Sequence, residues 1–144
     1  MAIVFRYRNM RRIDGTLHAA PFIPVRTYSP AEDTWFLFDF LIDSGADATI
    51  ITKQVADVLG LEEHEIPTGR TSGIGGEVRV KGTRLTVIVT GAHQHHTLDI
   101  DALVLQDPSD IPCLLGRNGF FERFDITFRQ ADKKITLKPR TTAC

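Results

Sequence analysis

Residues 35–42 read WFLFDFLI, a nearly continuous apolar run, and Asp43-Ser44-Gly45 follows at once. This junction constrains the fold more than any other stretch of the chain. A strand rich in Trp, Phe, Leu and Ile should end on turn residues, and Asp-Ser-Gly is a good turn. A strand that simply stops would account for it, unless the carboxylate has a further reason to stand there.

The rest of the chain also reads as strand. Phe22 to Tyr28 is a β-rich run fenced by Pro21 and Pro30, while Val78 to Val80, Leu85 to Val89 and Leu98 to Leu105 alternate apolar with polar residues. Asp125 to Phe128 and Lys134 to Leu137 flank RQADKK, which reads as a hairpin loop. Helical signals are short. Thr52 can N-cap KQVADVLG, whose Val55, Val58 and Leu59 should share the inward face before Gly60 ends it. RNGFFERF, from Arg117 to Phe124, is a second candidate weakened by Gly119. With no linker or repeat, this pattern predicts one mostly-β domain.

Composition narrows the function classes. The 144 residues are 42% hydrophobic and 24% charged, near globular averages. A formal charge of -1 offers no footprint for a polyanion, so no nucleic-acid partner is expected. The Arg-rich start, with Arg6, Arg8, Arg11 and Arg12, reads as a solvated edge. Cys113 and Cys144 are too few for a disulfide framework and suit a reduced, cytoplasmic setting. No signal peptide is visible, and WFLFDFLI falls far below the roughly 20 residues of a membrane helix.

Three separated pieces line up: LIDSGAD at 41–47, the glycine-rich GIGGEV at 73–78 and CLLGRNGF at 113–120. In this order and spacing they resemble the retropepsins, the single-domain aspartic proteases, over residues 20–138. The long C-terminal hairpin makes the chain more similar to the bacterial and cellular members than to the viral ones. Leu41, Ile42, Asp43, Ser44, Gly45 and Ala46 match the family's catalytic loop, and Gly73, Ile74, Gly75 and Gly76 resemble its flap. Asp-Ser-Gly alone is weak; a glycine flap about 30 residues on and LLGR about 70 residues on make the match strong.

The resemblance implies an all-β, closed or partly open barrel of the acid-protease fold, with one or two short helices and a β-hairpin flap. It implies residues 1–19 as an N-terminal extension, 20–138 as the protease domain and 139–144 as a tail. It implies an aspartic endopeptidase acting on peptide or protein substrates as a homodimer, with Asp43 catalytic and no cofactor or metal. Asp47 and Arg117 match the positions of a supporting ion pair, and Arg suits that role through its planar fork of donors. Ser44 would set its hydroxyl against backbone across the dimer interface.

The chemistry is consistent with this. Amide hydrolysis without a metal or covalent nucleophile needs a general base for water and an acid for the carbonyl or leaving nitrogen. Two carboxylates about 3 Å apart cannot both ionise, so a shared proton lets them serve both roles. One Asp cannot, and no second Asp-Ser/Thr-Gly occurs in the chain. Gly45 is expected to adopt positive φ and let two loops approach closely. A glycine-tipped hairpin would admit an extended peptide and then exclude solvent.

Two rivals are open at this point. His93, His95 and His96, in HQHH, could invite a metal with Asp99 and Asp101, but they lie between two strand signals and read as a solvated hairpin turn. Ser44 as a hydrolase nucleophile lacks any surrounding GxSxG. The alternative function is a catalytically silent retropepsin-fold module for dimerisation or peptide binding, since fold does not fix function.

Overall fold

Extended segments dominate the computed structural model, which describes residues 1–73 and 76–141 and holds twelve strands and one α-helix among them. In chain order these are β1 (Ile3–Arg6), β2 (Arg8–Arg11), β3 (Leu17–Ala20), β4 (Phe22–Ser29), β5 (Thr34–Ile42), β6 (Thr49–Ile51), α1 (Lys53–Leu59), β7 (Arg70–Gly73), β8 (Gly76–Gly91), β9 (Gln94–Leu105), β10 (Leu114–Leu115), β11 (Phe124–Arg129) and β12 (Lys134–Pro139). Seven form the main sheet, in the order β4-β5-β10-β6-β9-β8-β7. A further pairing of Arg26 and Thr27 with Ile88 and Val87 returns β8 onto β4 and wraps the sheet around its own core.

That core is built by period-two alternation. On β4, Ile23 and Val25 point inward; on β5, Phe40 and Ile42; on β8, Leu85, Val87 and Val89; on β9, Leu98 and Ile100. Each such side chain contributes about 1.5–3 kcal/mol on burial. β5 is therefore not buried on both faces, although its sequence is apolar but for Thr34 and Asp39. Its other face turns outward, leaving Trp35 against Tyr28 (ring centroids 5.2 Å apart) and Leu37 exposed.

Expected elements hold with four differences. The two runs at 78–80 and 85–89 belong to one strand, β8, whose inward phase shifts where Gly82 and Thr83 are both buried. His64 bridges to Gly82 there, and a Cβ on Gly82 would sit 2.5 Å from its Nε2. Thr52 does cap α1, its Oγ1 accepting from Val55 N–H, and Gly60 ends it at φ 67°. However, Ala56 and Leu59 are buried while Val58 is half exposed, because 58 lies off the stripe set by 55, 56 and 59. The proposed helix at 117–124 is only a wide turn at Arg117–Phe121, broken where Asn118 (ψ 122°) and Gly119 (φ 87°) leave helical geometry.

The fourth difference concerns residues 1–19. β1 pairs with β12 (Ile3 opposite Leu137), making a three-stranded sheet β1-β12-β11, and Ile3 is fully buried. Gly91 leaves it room, since a Cβ there would collide with Ile3 Cγ2. Among the described residues, β2 and β3 pair only with each other, as a separate hairpin. Among the described residues, no helix is long and apolar enough to cross a membrane.

Candidate active site

β5 delivers Asp43 to the end of the main sheet. Leu41 and Ile42 run parallel to Leu114 and Leu115 of β10, whose other side pairs with Ile50 of β6. A strand from late in the chain is thus inserted between two strands joined only by the loop from Asp43 to Ala48. Backbone bonds lock the entry to this loop: Leu41 N–H to Cys113 O (2.9 Å), Ile42 N–H to Pro21 O (3.0 Å) and Asp43 N–H to Leu115 O (3.1 Å). The loop then turns tightly. Asp43 Oδ1 accepts from Gly45 N–H at 2.9 Å, and Asp43 O accepts from Ala46 N–H at 3.3 Å. The carboxylate is half-buried, with Ser44 and Gly45 exposed beside it.

The segment after β10 closes against the same loop. Arg117 N–H donates to Ala46 O (2.9 Å) and Asn118 N–H to Asp47 O (2.8 Å). The Arg117 guanidinium donates to Ser44 O at 3.3 Å and pairs with the Asp47 carboxylate. Both partners are largely exposed, so this pair stands at the surface of the single chain and not in its interior.

Gly45 does not take positive φ, contrary to expectation; its missing Cβ instead clears Asp43 Oδ1, which would lie 3.3 Å away. The close approach of the two loops falls on Gly116. A Cβ there would strike Ala48 O and lie 2.5 Å from Ala48 C. Gly116 N–H also donates to the hydroxyl of Thr49, a fully buried residue, at 3.3 Å. Thr49 was missed in the sequence, yet a hydroxyl inside the apolar ATII run carries a signal, since a buried hydroxyl requires a partner.

β7 and the start of β8 form a hairpin, from Gly73 opposite Gly76 to Arg70 opposite Arg79. Ile74 and Gly75, its expected tip, lie outside the described residues. At its base Arg79 pairs with Asp107 (2.6 Å) and accepts from Gln106 N–H through its carbonyl (3.0 Å). Nearby, burial disfavours the Glu63 carboxylate, but hydrogen bonds from Lys53 and Gln106 outweigh it and hold its pKa below the usual value.

The histidines are spread around the β8–β9 turn, where Ala92 and His93 both take positive φ (48° and 62°). His95 meets Thr90 (3.1 Å) and His96 meets Gln94 (3.0 Å), while Asp99 and Asp101 are engaged by Thr86 and Arg84. Among the described residues, no three His, Cys, Asp or Glu converge on one point. Cys113 is buried, which pushes its thiol pKa up and away from reactivity; Cys144 lies outside the described residues.

A mostly-β sheet wrapped on itself, with Asp-Ser-Gly presented beside an inserted strand, defines the retropepsin-like class of aspartic protease folds. A solved retropepsin-like aspartic protease from Rickettsia conorii superposes with a TM-score of 0.56 at 20% identity, covering 95% of this chain and 90% of that one. The EIAV protease complexed with the inhibitor HBY-793 gives 0.49 at 24% identity, covering 68% and 82%. The retroviral protease-like domain of Ddi1 from Leishmania major gives 0.47 at 14%, covering 85% and 94%. No curated protein sequence matches. The aspartyl protease family model matches residues 37–118, more than half of the chain, and the protein belongs to that family.

Proposed function

We propose that the chain is an aspartic endopeptidase that works as a homodimer, each copy supplying one Asp43. The observation that carries this is a half-buried carboxylate held by backbone on a tight loop, in a chain of this family with no second Asp-Ser/Thr-Gly. Water lies between the two carboxylates. The ionised one takes its proton while the protonated one donates to the substrate carbonyl, giving a tetrahedral diol; returning a proton to the nitrogen releases the amine. Both roles need one proton on the pair, so activity belongs in the acidic to mildly acidic range.

The remaining residues act by placement. Gly45 and Ala46 shape the turn, Ser44 faces the partner copy, and Arg117 with Asp47 steadies the loop and orients the substrate backbone. Residues 73–76, Gly-Ile-Gly-Gly, serve as the flap, with the Arg79–Asp107 pair at its root. The protease domain is residues 20–138, its terminal sheet completed by β1.

The test is Asp43→Asn in a peptide-library cleavage assay. Cleavage should vanish with circular dichroism and self-association unchanged; cleavage that persists removes the assignment. A stable wild-type dimer that cleaves no peptide would turn the reading to a silent binding module.

A further inference from the structure

Among the described residues the β2–β3 hairpin, from Arg8 to Ala20, is a two-stranded unit held to its own chain at the root, and its outer end projects as a preformed arm. Its strands pair in register from Arg8 opposite Ala20 to Arg11 opposite Leu17 and, among the described residues, with no other strand. Its turn is fixed internally: Arg12 N–H donates to Thr16 O (2.7 Å), Thr16 N–H to Asp14 Oδ1 (2.9 Å), and the Arg11 guanidinium to Gly15 O (2.8 Å). Yet its outer end shows apolar side chains to water, with Ile13 completely exposed and Leu17 58% exposed. A two-stranded hairpin is marginal in water until its apolar side chains pack against something further.

Its root stands beside the active loop. Pro21, directly after β3, accepts from Ile42 N–H at 3.0 Å, one residue before Asp43, and Arg8 anchors the first strand to Asp39 with two bonds of 2.9 and 3.0 Å. If two Asp43 carboxylates share a proton, the two-fold axis passes between the two Asp43 loops, and this root is hydrogen-bonded to the strand that enters that loop. The arm, at about 3.4 Å per residue and roughly 15 Å long, is then within reach of the second copy. Area demands it as well. A stable interface takes about 800 Å² from each partner, some 20–30 residues, far more than the loop from Asp43 to Ala48 supplies. The terminal strands are already paired within one chain, β1 on β12.

We infer that the Arg8–Ala20 hairpin is a dimerisation arm that lays Ile13 and Leu17 against a second copy of this chain. The inference rests on the two-chain site proposed above. An isologous interface places two such arms, one from each copy, flanking the shared cleft.

The experiment is sedimentation equilibrium of wild type and of the double variant Ile13→Glu, Leu17→Glu. Both side chains are exposed, so at dilutions where both proteins are monomeric melting of the variant should match wild type, while its dimer dissociation constant should rise tenfold or more, on the order expected for losing central apolar anchors. A second measurement is amide hydrogen exchange of residues 8–20, expected to slow when wild type passes from dilute monomer to dimer. A dimer with the same constant in both proteins and unchanged exchange in the arm overturns the inference and leaves the two-chain site intact. A wild type monomeric at every concentration removes that site, and the arm with it.

Discussion

Gly116→Ala tests whether the approach of two loops, and not backbone freedom, is what this glycine supplies. Gly116 lies at φ -92° and ψ -176°, extended backbone that alanine adopts without strain. Stiffening the unfolded chain would even favour alanine by about 0.4–1 kcal/mol. The contact decides the sign. The new methyl would collide with Ala48 O and sit 2.5 Å from Ala48 C and 2.9 Å from Ala48 N, all backbone atoms that no rotamer change can move. Relief of about an ångström must come from the loops themselves, a form of overpacking worth about 1–3 kcal/mol. The shift also loosens the bond from Gly116 N–H to the buried Thr49 hydroxyl, about 1 kcal/mol more. The net is about 1–3.5 kcal/mol of destabilisation, or a Tm lower by roughly 3–12 °C at this chain length. Urea midpoints and thermal melts measure it, with Gly45→Ala as control: its Cβ would meet only a side-chain oxygen at 3.3 Å, so stability should stay within about 1 kcal/mol. A Gly116→Ala protein that melts with wild type would refute the reasoning.

Three further outcomes are expected. In a double-mutant cycle of Asp47→Ala and Arg117→Ala, the exposure of both partners limits their coupling in stability to below about 1 kcal/mol, so a larger value in the dilute monomer would mean the pair is more enclosed than the structure has it. Leu59→Ala, emptying a fully buried site on α1, should cost about 2–5 kcal/mol in chemical denaturation, and Val58→Ala at the half-exposed neighbouring position less than about 1; equal losses would put both on one face. Stability should fall in two stages on acidification. His96, held below its ordinary 6.5 by burial and then by Arg123 and neighbouring cations, binds protons less readily folded than unfolded, so its contribution is complete above 6.5 and declines below it; His96→Gln should flatten that part of a pH–stability curve. Glu63, also held low, contributes above its ordinary 4.5 and loses that as pH falls through its folded value; a curve for Glu63→Gln that keeps the same acid limb would contradict this.

Much of the site was legible because local chemistry marks it. A β-rich run must end, and Asp43-Ser44-Gly45 ends it in a turn whose carboxylate caps Gly45 N–H; Thr52 and Gly60 mark α1 as plainly. What was illegible depends on partners distant in sequence. Leu37 reads like Phe40, but only its position on the outward face of β5 leaves it in water. Val78 to Val89 reads as two runs because the phase of burial slips at Gly82 and Thr83, under His64. Ile3, in an Arg-rich stretch, becomes core only when β12 and Gly91 form its seat. Gly45 and Gly116 look interchangeable as loop glycines until Ala48 is placed against the second.

The insertion of β10 between β5 and β6 has a consequence for how the molecule comes into being. Leu41, Ile50 and Leu114 must meet in one layer, so the two flanking strands cannot complete their ladder until a segment some seventy residues downstream arrives. A nascent chain that has emerged only through β9 carries Asp43 N–H with its acceptor, Leu115 O, still unmade. The Asp43 loop is therefore placed in the late, non-local phase of folding, after the β8–β9 hairpin and other short-range pairings have formed.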